Sequence, residues 1–293
     1  MKTASWSQIL ERLDAALDLC RGLRLGGHVD ASRFQQYREH LSRLIEALEA
    51  EGQEGAREVF ESDQLKSTVA LTESTELGDI EPFLQTVDAQ TAAAKLVHVL
   101  GGPLLPSDED SNTNQPRNLL FELNLAARLW RAGFPPELGE HPDLAIEVGR
   151  KRFLIQCKRP FSQRGARRCF QDARTQLRRD LKSAPVGSRG VIALSLSRLL
   201  HQGDQLFVYS SERRARGELA DRLVAIGEEI LAGKHPGKDF VGMIGHVITA
   251  GVDKTKGLRM AIQQTAVHAF TTPGSLDAAA FRSMYEGLKR NWY

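Results

Sequence analysis

Apolar residues recur at three- and four-residue spacings through the first hundred positions of the chain, which is the pattern of amphipathic helices. One apolar stripe covers residues 4–24 and is followed by two glycines, and a second runs from an N-cap at Asp30 to about Ala50. The spacing stays helical over residues 54–100. We therefore predict a helical N-terminal domain whose first two helices form an antiparallel hairpin.

The pattern changes after the segment PLLPSDEDSNTNQP, residues 103–116, whose Pro, Ser, Asp and Asn content predicts a linker or an exposed loop. Beyond it, helical and alternating stretches follow one another. They are a helix at 117–132, short strands at 142–148 and 152–158, a helix at 165–183 and a strand at 190–197. This order predicts a helical domain over residues 1–111 and an α/β domain over residues 112–293 with C-terminal strand and helix extensions.

Charge separates the two predicted domains. Residues 1–111 carry 10 Lys and Arg against 20 Asp and Glu, whereas residues 112–293 carry 29 against 17. The stretch from Arg150 to Lys182 holds 12 basic residues against two acidic ones. Such a stretch attracts phosphate backbones, although a solvated helix face can have the same composition. The acidic helical domain is suited to self-association or to docking a partner protein.

Composition excludes several classes of protein. With 41% hydrophobic and 26% charged residues, the chain is expected to be globular and soluble. No apolar stretch approaches the roughly 18 to 20 residues of a bilayer helix, so we expect no membrane partner and a cytoplasmic location. The three cysteines form no CxxC pair, the histidines show no HExxH spacing, and neither GxxxxGK[ST] nor GxGxxG occurs. Zinc chemistry, ATP hydrolysis and dinucleotide binding are therefore not expected.

The segment HPDLAIEVGRKRFLIQCKRP carries the candidate chemistry. If Gly149 and Arg150 form a two-residue hairpin turn, residues that face each other have numbers adding to 299. Alternation then gives one apolar face, made of Leu144, Ile146, Val148, Phe153, Ile155 and Cys157. The other face gathers Asp143, Gln156 and Lys158 at one strand end, while Glu147 lies opposite Arg152 as a cross-strand ion pair.

Asp143, the side-chain oxygen of Gln156 and the main-chain carbonyl of Cys157 are hard oxygen ligands of the kind that Mg²⁺ prefers. Beside such an ion, Lys158 can orient or deprotonate a metal-bound water, or stabilise charge on a pentavalent phosphate. This combination indicates hydrolysis of a phosphodiester. The plainer alternative is a surface ion pair between Asp143 and Lys158, which would contribute little.

Glu122 lies at the edge of the apolar stripe of the helix FELNLAARLWRAGF. A carboxylate at a packed boundary requires a partner, because an unpaired buried charge is costly. A metal ion or a buried Lys or Arg would provide one. A Glu that reaches solvent is the alternative.

The order of these elements resembles the PD-(D/E)xK nuclease superfamily, in a QxK variant similar to the Mrr-type restriction endonucleases. The resemblance covers about residues 117–197 and implies a restriction-endonuclease-like αβββαβ core whose first strand is reduced to the short region 133–138. It also implies a Mg²⁺- or Mn²⁺-dependent endonuclease. It assigns catalysis to Glu122, Asp143, Gln156 and Lys158, and metal binding to Glu122, Asp143, Gln156 and Cys157. Gln156 stands where the commonest pattern has Glu or Asp, and the missing negative charge implies weaker metal binding or one tightly held ion in place of two.

Basic residues after the last motif fit the same interpretation as nucleic-acid contacts. They are Arg159, Arg164, Arg167, Arg168, Arg174 and Arg178. DNA is the expected substrate, although these residue types serve DNA and RNA alike, and restriction or anti-phage defence is a setting that only the resemblance suggests. Two other functions stay open: a catalytically inactive nucleic-acid-binding module on the same fold, and an interaction protein whose helical domain is the working part.

Overall fold

The structure, a computed structural model, describes residues 5–110, 113–200, 207–232, 236–253 and 259–290. The helices are α1 (Trp6–Gly22), α2 (Gly26–Asp30), α3 (Arg33–Ser62), α4 (Gln64–Leu84), α5 (Ala89–Leu100), α6 (Gln115–Arg131), α7 (Gln163–Ser183), α8 (Ser197–Leu200), α9 (Glu212–Leu231) and α10 (Leu276–Arg290). The strands are β1 (Glu137–Leu138), β2 (Leu144–Val148), β3 (Lys151–Lys158), β4 (Arg189–Ser195), β5 (Phe207–Tyr209), β6 (Phe240–Asp253) and β7 (Arg259–Ala269). The predicted mixed α/β class with a helical N-terminal region is confirmed.

The chain divides into two compact units. The first comprises residues 1–124, 201–212 and 249–262, and the second comprises 125–200, 213–248 and 263–293. The division at the end of the first range falls inside α6. The boundary predicted from composition, between residues 111 and 112, lies outside the described residues.

Side-chain capping sets the starts of the N-terminal helices. Ser5 and Gln8 form a capping box at the start of α1. Helix α3 begins after Ser32, whose Oγ accepts a hydrogen bond from the backbone N–H of Gln35 at 3.2 Å. The N-cap predicted at Asp30 is therefore wrong, because Asp30 is the last residue of the short helix α2. Within the described ranges, no helix combines the length and the apolar character needed to cross a bilayer.

A buried network of charged side chains ties the first unit together. The carboxylate of Glu73 in α4 accepts hydrogen bonds from Arg33 Nε at 2.7 Å and from Arg117 Nε at 2.5 Å. Arg117 Nη1 also donates to Glu109 Oε1 at 3.0 Å. Burial of these ions is tolerated because each carboxylate faces a guanidinium. Since Glu109 lies in the segment predicted as a linker or exposed loop, that segment is anchored to the helices.

In the part of the chain that the structure describes, the sheet has seven strands in the order β1-β2-β3-β4-β6-β5, with β7 paired to β6. The β1-β2-β3 pairs are antiparallel, and the β3-β4-β6 pairs are parallel. Helix α7 packs on β3 and β4, and α10 contacts β2. Strands β3 and β4 end together, because Lys158 pairs with Leu194. This common end positions the candidate site.

Candidate active site

The β2-β3 hairpin places the predicted site residues. Leu144 pairs with Ile155 and Val148 with Lys151, so the register predicted from the Gly149-Arg150 turn is confirmed. Gly149 has a φ of 62°, a conformation that favours glycine in a tight turn. The predicted ion pair between Glu147 and Arg152 is also confirmed, at 2.9 Å.

Asp143 precedes β2 and is fastened to β3 by hydrogen bonds. Its Oδ2 accepts one bond from Gln156 Nε2 at 2.5 Å and another from the backbone N–H of Cys157 at 2.6 Å. Hydrogen bonds to an ionised acceptor are short and strong. The half-buried carboxylate is thereby held in one orientation at the end of the strand pair.

Gln156 is almost completely buried, with 2% of its surface exposed. A carboxylate only accepts hydrogen bonds, so the amide atom that faces Asp143 must be the nitrogen. This fixes the amide, and its Oε1 is left buried without a hydrogen-bond partner in the described residues. An unsatisfied buried acceptor costs about 1 to 3 kcal/mol, so the position suits a cation or a donor from a substrate.

Cys157 contributes through its backbone. In a strand, the N–H and C=O groups of one residue point to the same side. Because the N–H of Cys157 bonds to Asp143, its carbonyl also points toward the side of β2. The thiol lies on the opposite face from Gln156, as the alternation of the strand predicts, and only 8% of the residue is exposed.

Lys158 is the last residue of β3 and is half-buried. Within the described residues it makes neither a hydrogen bond nor an ion pair, so the surface ion pair with Asp143 considered above is not observed. Burial, and then the charge of Asp172, raise the pKa of the Cys169 thiol in α7, while the charge of Lys158 lowers it.

Glu122 belongs to the first unit, whereas Asp143, Gln156 and Lys158 belong to the second. It is 6% exposed, and its Oε1 lies 2.5 Å from Lys95 Nζ. Of the partners that the sequence left open, the structure supplies a half-buried lysine. No local pattern pointed to Lys95, because this residue is 27 positions away on another helix.

The strand pair offers few side chains of the kind that bind a metal ion. Among the described residues, no group of three or more His, Cys, Asp or Glu side chains could hold a metal ion. Of the residues predicted to bind a metal on this hairpin, Asp143 supplies the carboxylate. Gln156 supplies an amide oxygen, and Cys157 supplies a main-chain carbonyl. Such oxygen donors suit Mg²⁺, which keeps several of its water ligands.

A buried polar cluster in the second unit was missed by the sequence analysis. Nδ1 of His246 lies 2.8 Å from Arg128 Nη1 and 3.1 Å from Thr265 Oγ1. Burial, followed by the charge of Arg128, holds the pKa of His246 well below its usual value, so the ring is neutral. His246 lies in the apolar run of β6, and the sequence pattern of that run does not indicate its partners on α6 and β7.

The comparisons with family models, with curated proteins and with solved structures found no match.

Proposed function

We propose that the protein is a metal-dependent nuclease that hydrolyses phosphodiester bonds in DNA, on a core of the restriction-endonuclease-like kind. The observation that carries the proposal is the orphaned Oε1 of buried Gln156, fixed beside the Asp143 carboxylate with Lys158 two residues further on. The element order α6-β1-β2-β3-α7-β4 agrees with the order that the resemblance implies. Restriction or anti-phage defence would be a suitable setting for such an enzyme.

The residues fit a divalent cation through the chemistry of their donor atoms. Asp143, Gln156 and the carbonyl of Cys157 offer hard oxygens from one carboxylate, one amide and one main-chain group. A cation at Gln156 Oε1 would satisfy the buried oxygen that has no partner in the described residues. When bound, Mg²⁺ or Mn²⁺ would supply a Lewis acid for the scissile phosphate and lower the pKa of a bound water.

The side chains of this site have separate roles in the proposal. The two hydrogen bonds to Asp143 hold its carboxylate in place before substrate binds, so little reorganisation is needed. Lys158 orients the attacking water or stabilises the charge that develops on the phosphate. Glu122 is left out of the ligand set because its carboxylate faces Lys95 within the first unit.

Cleavage assays test the proposal. Purified protein is incubated with plasmid, linear and single-stranded DNA and with RNA, in Mg²⁺ or Mn²⁺, beside the variants Asp143→Asn and Lys158→Met. We expect the parent to cut DNA and each variant to lose at least about 100-fold in rate, the usual scale for a positioned acid, base or charge-stabilising group. Asp172→Asn, an exposed acid on α7, serves as the control. Cleavage that survives both site substitutions would refute the assignment.

Two observations favour a second function, a nucleic-acid-binding module without catalysis. Asp143 already accepts two protein hydrogen bonds, and the described residues contain no cluster of three metal-binding His, Cys, Asp or Glu side chains. In that case neither the parent nor Lys158→Met cleaves any substrate, and the two bind DNA equally well. A metal-dependent product from the parent rules this function out.

A further inference from the structure

Helix α7 carries its basic residues on two different sides. At about 100° per residue, the buried side of the helix is defined by four apolar residues. They are Ala166, Phe170, Ala173 and Leu177. A first basic group, Arg167, Arg174 and Arg178, flanks this buried side. A second group, Arg164, Arg168, Arg179 and Lys182, lies opposite to it.

The first group, which we call the clamp, is engaged within the fold. Arg167 Nε donates to the carbonyl of Glu229 at 3.1 Å. Arg174 Nε and Arg178 Nη2 donate to the carbonyl of Pro236 at 2.7 and 3.1 Å. These carbonyls lie in the last turn of α9 and beyond it, where backbone oxygens lack intrahelical donors. The clamp therefore stabilises the second unit.

The second group, which we call the basic stripe, faces solvent. Arg164, Arg179 and Lys182 are exposed and make no hydrogen bond or ion pair within the described part of the chain. Arg168 lies 3.9 Å from Asp172, but the two side chains are 87% and 60% exposed. A pair as open as this contributes little, so its charge stays available to a ligand.

We propose that the basic stripe, and not the clamp, binds the phosphate backbone of the nucleic acid, an inference that rests on the proposed function. At 1.5 Å per residue the stripe extends about 27 Å along the helix axis, the length of roughly eight base steps of duplex at 3.4 Å each. Three of its four members are arginines, whose planar guanidinium groups bind phosphate oxygens in pairs.

The position of the stripe favours nucleic acid over an acidic protein surface. Helix α7 begins after Ser162, four residues beyond the end of β3 at Lys158, and packs on β3 and β4. Because β3 and β4 are parallel, the helix that connects them runs back from the end of β3 toward the start of β4. The stripe therefore starts beside the proposed site and continues away from it in the same unit. Arg164 and Arg168 lie in the first two turns of α7 and are the members of the stripe that follow Lys158 most closely along the chain.

Salt-dependent DNA binding tests the proposal in the full-length chain. All proteins carry Lys158→Ala, and EDTA is present, so that cleavage does not enter the measurement. The stripe variant is Arg164→Gln/Arg168→Gln/Arg179→Gln, and the probe is a fluorescent 30-bp duplex. We expect the slope of log K against log salt to become shallower by about 0.9 per lost phosphate contact, about 2.7 for three, with at least a tenfold loss of affinity near 0.1 M salt.

Two matched controls carry the same charge change. The clamp variant, Arg167→Gln/Arg174→Gln/Arg178→Gln, is expected to keep the parental slope and to melt at a lower temperature. A second control does not depend on the folding of the clamp variant: Arg24→Gln/Arg57→Gln/Arg282→Gln removes three exposed arginines outside α7. This second control is expected to keep both the slope and the melting temperature.

An unchanged slope in the stripe variant overturns the proposal, and so does an equal change in a folded control. Polyglutamate of matched charge is added as a competitor. If it displaces the duplex as well as unlabelled DNA does, the stripe fits an acidic protein surface and the proposal fails. The proposed function is judged separately: a parent that binds through the stripe but does not cleave with Mg²⁺ or Mn²⁺ disproves the nuclease and leaves the stripe intact.

Discussion

The ammonium of Lys95 lies 2.5 Å from the carboxylate of Glu122, and the two side chains are only 16% and 8% exposed. The pair joins α5 to α6 within the first unit. Because a cation already faces the Glu122 carboxylate, the proposed function gives this residue no part in binding a metal. The family resemblance assigns Glu122 to catalysis and metal binding. Substitution of Glu122 therefore distinguishes a structural role from a catalytic one.

Substitution of Lys95 by Met is expected to lower the free energy of unfolding by about 3 to 5 kcal/mol, because Glu122 loses its ammonium while staying buried. Lys95→Met/Glu122→Gln is expected to regain part of this loss, which a chemical denaturation series measures as a coupling energy. Glu122→Gln alone is expected to leave cleavage of DNA within about tenfold of the parent. If it abolishes cleavage without changing stability, Glu122 belongs in the ligand set.

Substitution of Gln156 by Glu is expected to lower the melting temperature in EDTA and to raise the affinity for Mg²⁺. The new carboxylate cannot donate to Asp143 and repels it, so the melting temperature in EDTA should fall. With Mg²⁺ the second acid becomes a ligand, and each tenfold gain in affinity adds about 1.4 kcal/mol at saturating metal. Gln53→Glu, the same change at an exposed position of α3, is the control. A Mg²⁺-induced rise in melting temperature no larger than the parent's would contradict the metal assignment.

Substitution of Glu73 by Gln tests the buried network. Arg33 and Arg117 both donate to this carboxylate, and their side chains are 1% and 3% exposed. Removing the charge leaves two buried guanidinium groups undercompensated, and we expect a loss of about 3 to 5 kcal/mol in the free energy of unfolding. Glu54→Gln removes a carboxylate from an exposed pair with Arg57 and is expected to cost less than about 1 kcal/mol. If urea denaturation shows the same loss in free energy of unfolding for Glu73→Gln and Glu54→Gln, burial does not determine how much such a pair contributes to stability.

The stability of the first unit is expected to depend on pH through His40. This ring is 3% exposed and lies 2.7 Å from Ser67 Oγ. Burial, and then the charges of Arg43 and Lys66, lower the pKa of His40 to about 4, while Asp63 acts in the opposite direction. The unfolded chain takes up this proton near pH 6.5, so the stabilising difference is complete above that pH and is lost as the pH falls toward 4.

Denaturation curves between pH 7 and pH 4 measure this effect. His40→Gln is expected to be less stable than the parent at pH 7 and to show a smaller decline as the pH falls. His28→Gln removes an exposed histidine and serves as the comparison. A parental decline that persists unchanged in His40→Gln would assign the pH dependence to other groups.

The local arrangement around Asp143 could be predicted because it depends on residues close in sequence. A glycine-containing two-residue turn sets the register, and strand alternation then determines which side chains share a face. Both rules act over fewer than 20 residues, so the adjacency of Asp143 and Gln156 followed from the sequence. The predicted roles of these residues in metal binding and catalysis stay predictions.

The sequence alone determined the hairpin, the helical first part, the basic character of α7 and the mixed α/β class. Periodicity, turn residues and charge depend only on residues that are close together in the chain. Tertiary structure alone decided that Lys95 faces Glu122, that the amide oxygen of Gln156 is buried, and that the clamp and the basic stripe of α7 differ. Each of these depends on residues or surfaces brought together from distant positions. Burial and charge pairing between such positions depend on how distant parts of the chain pack together. A local sequence pattern does not contain this information.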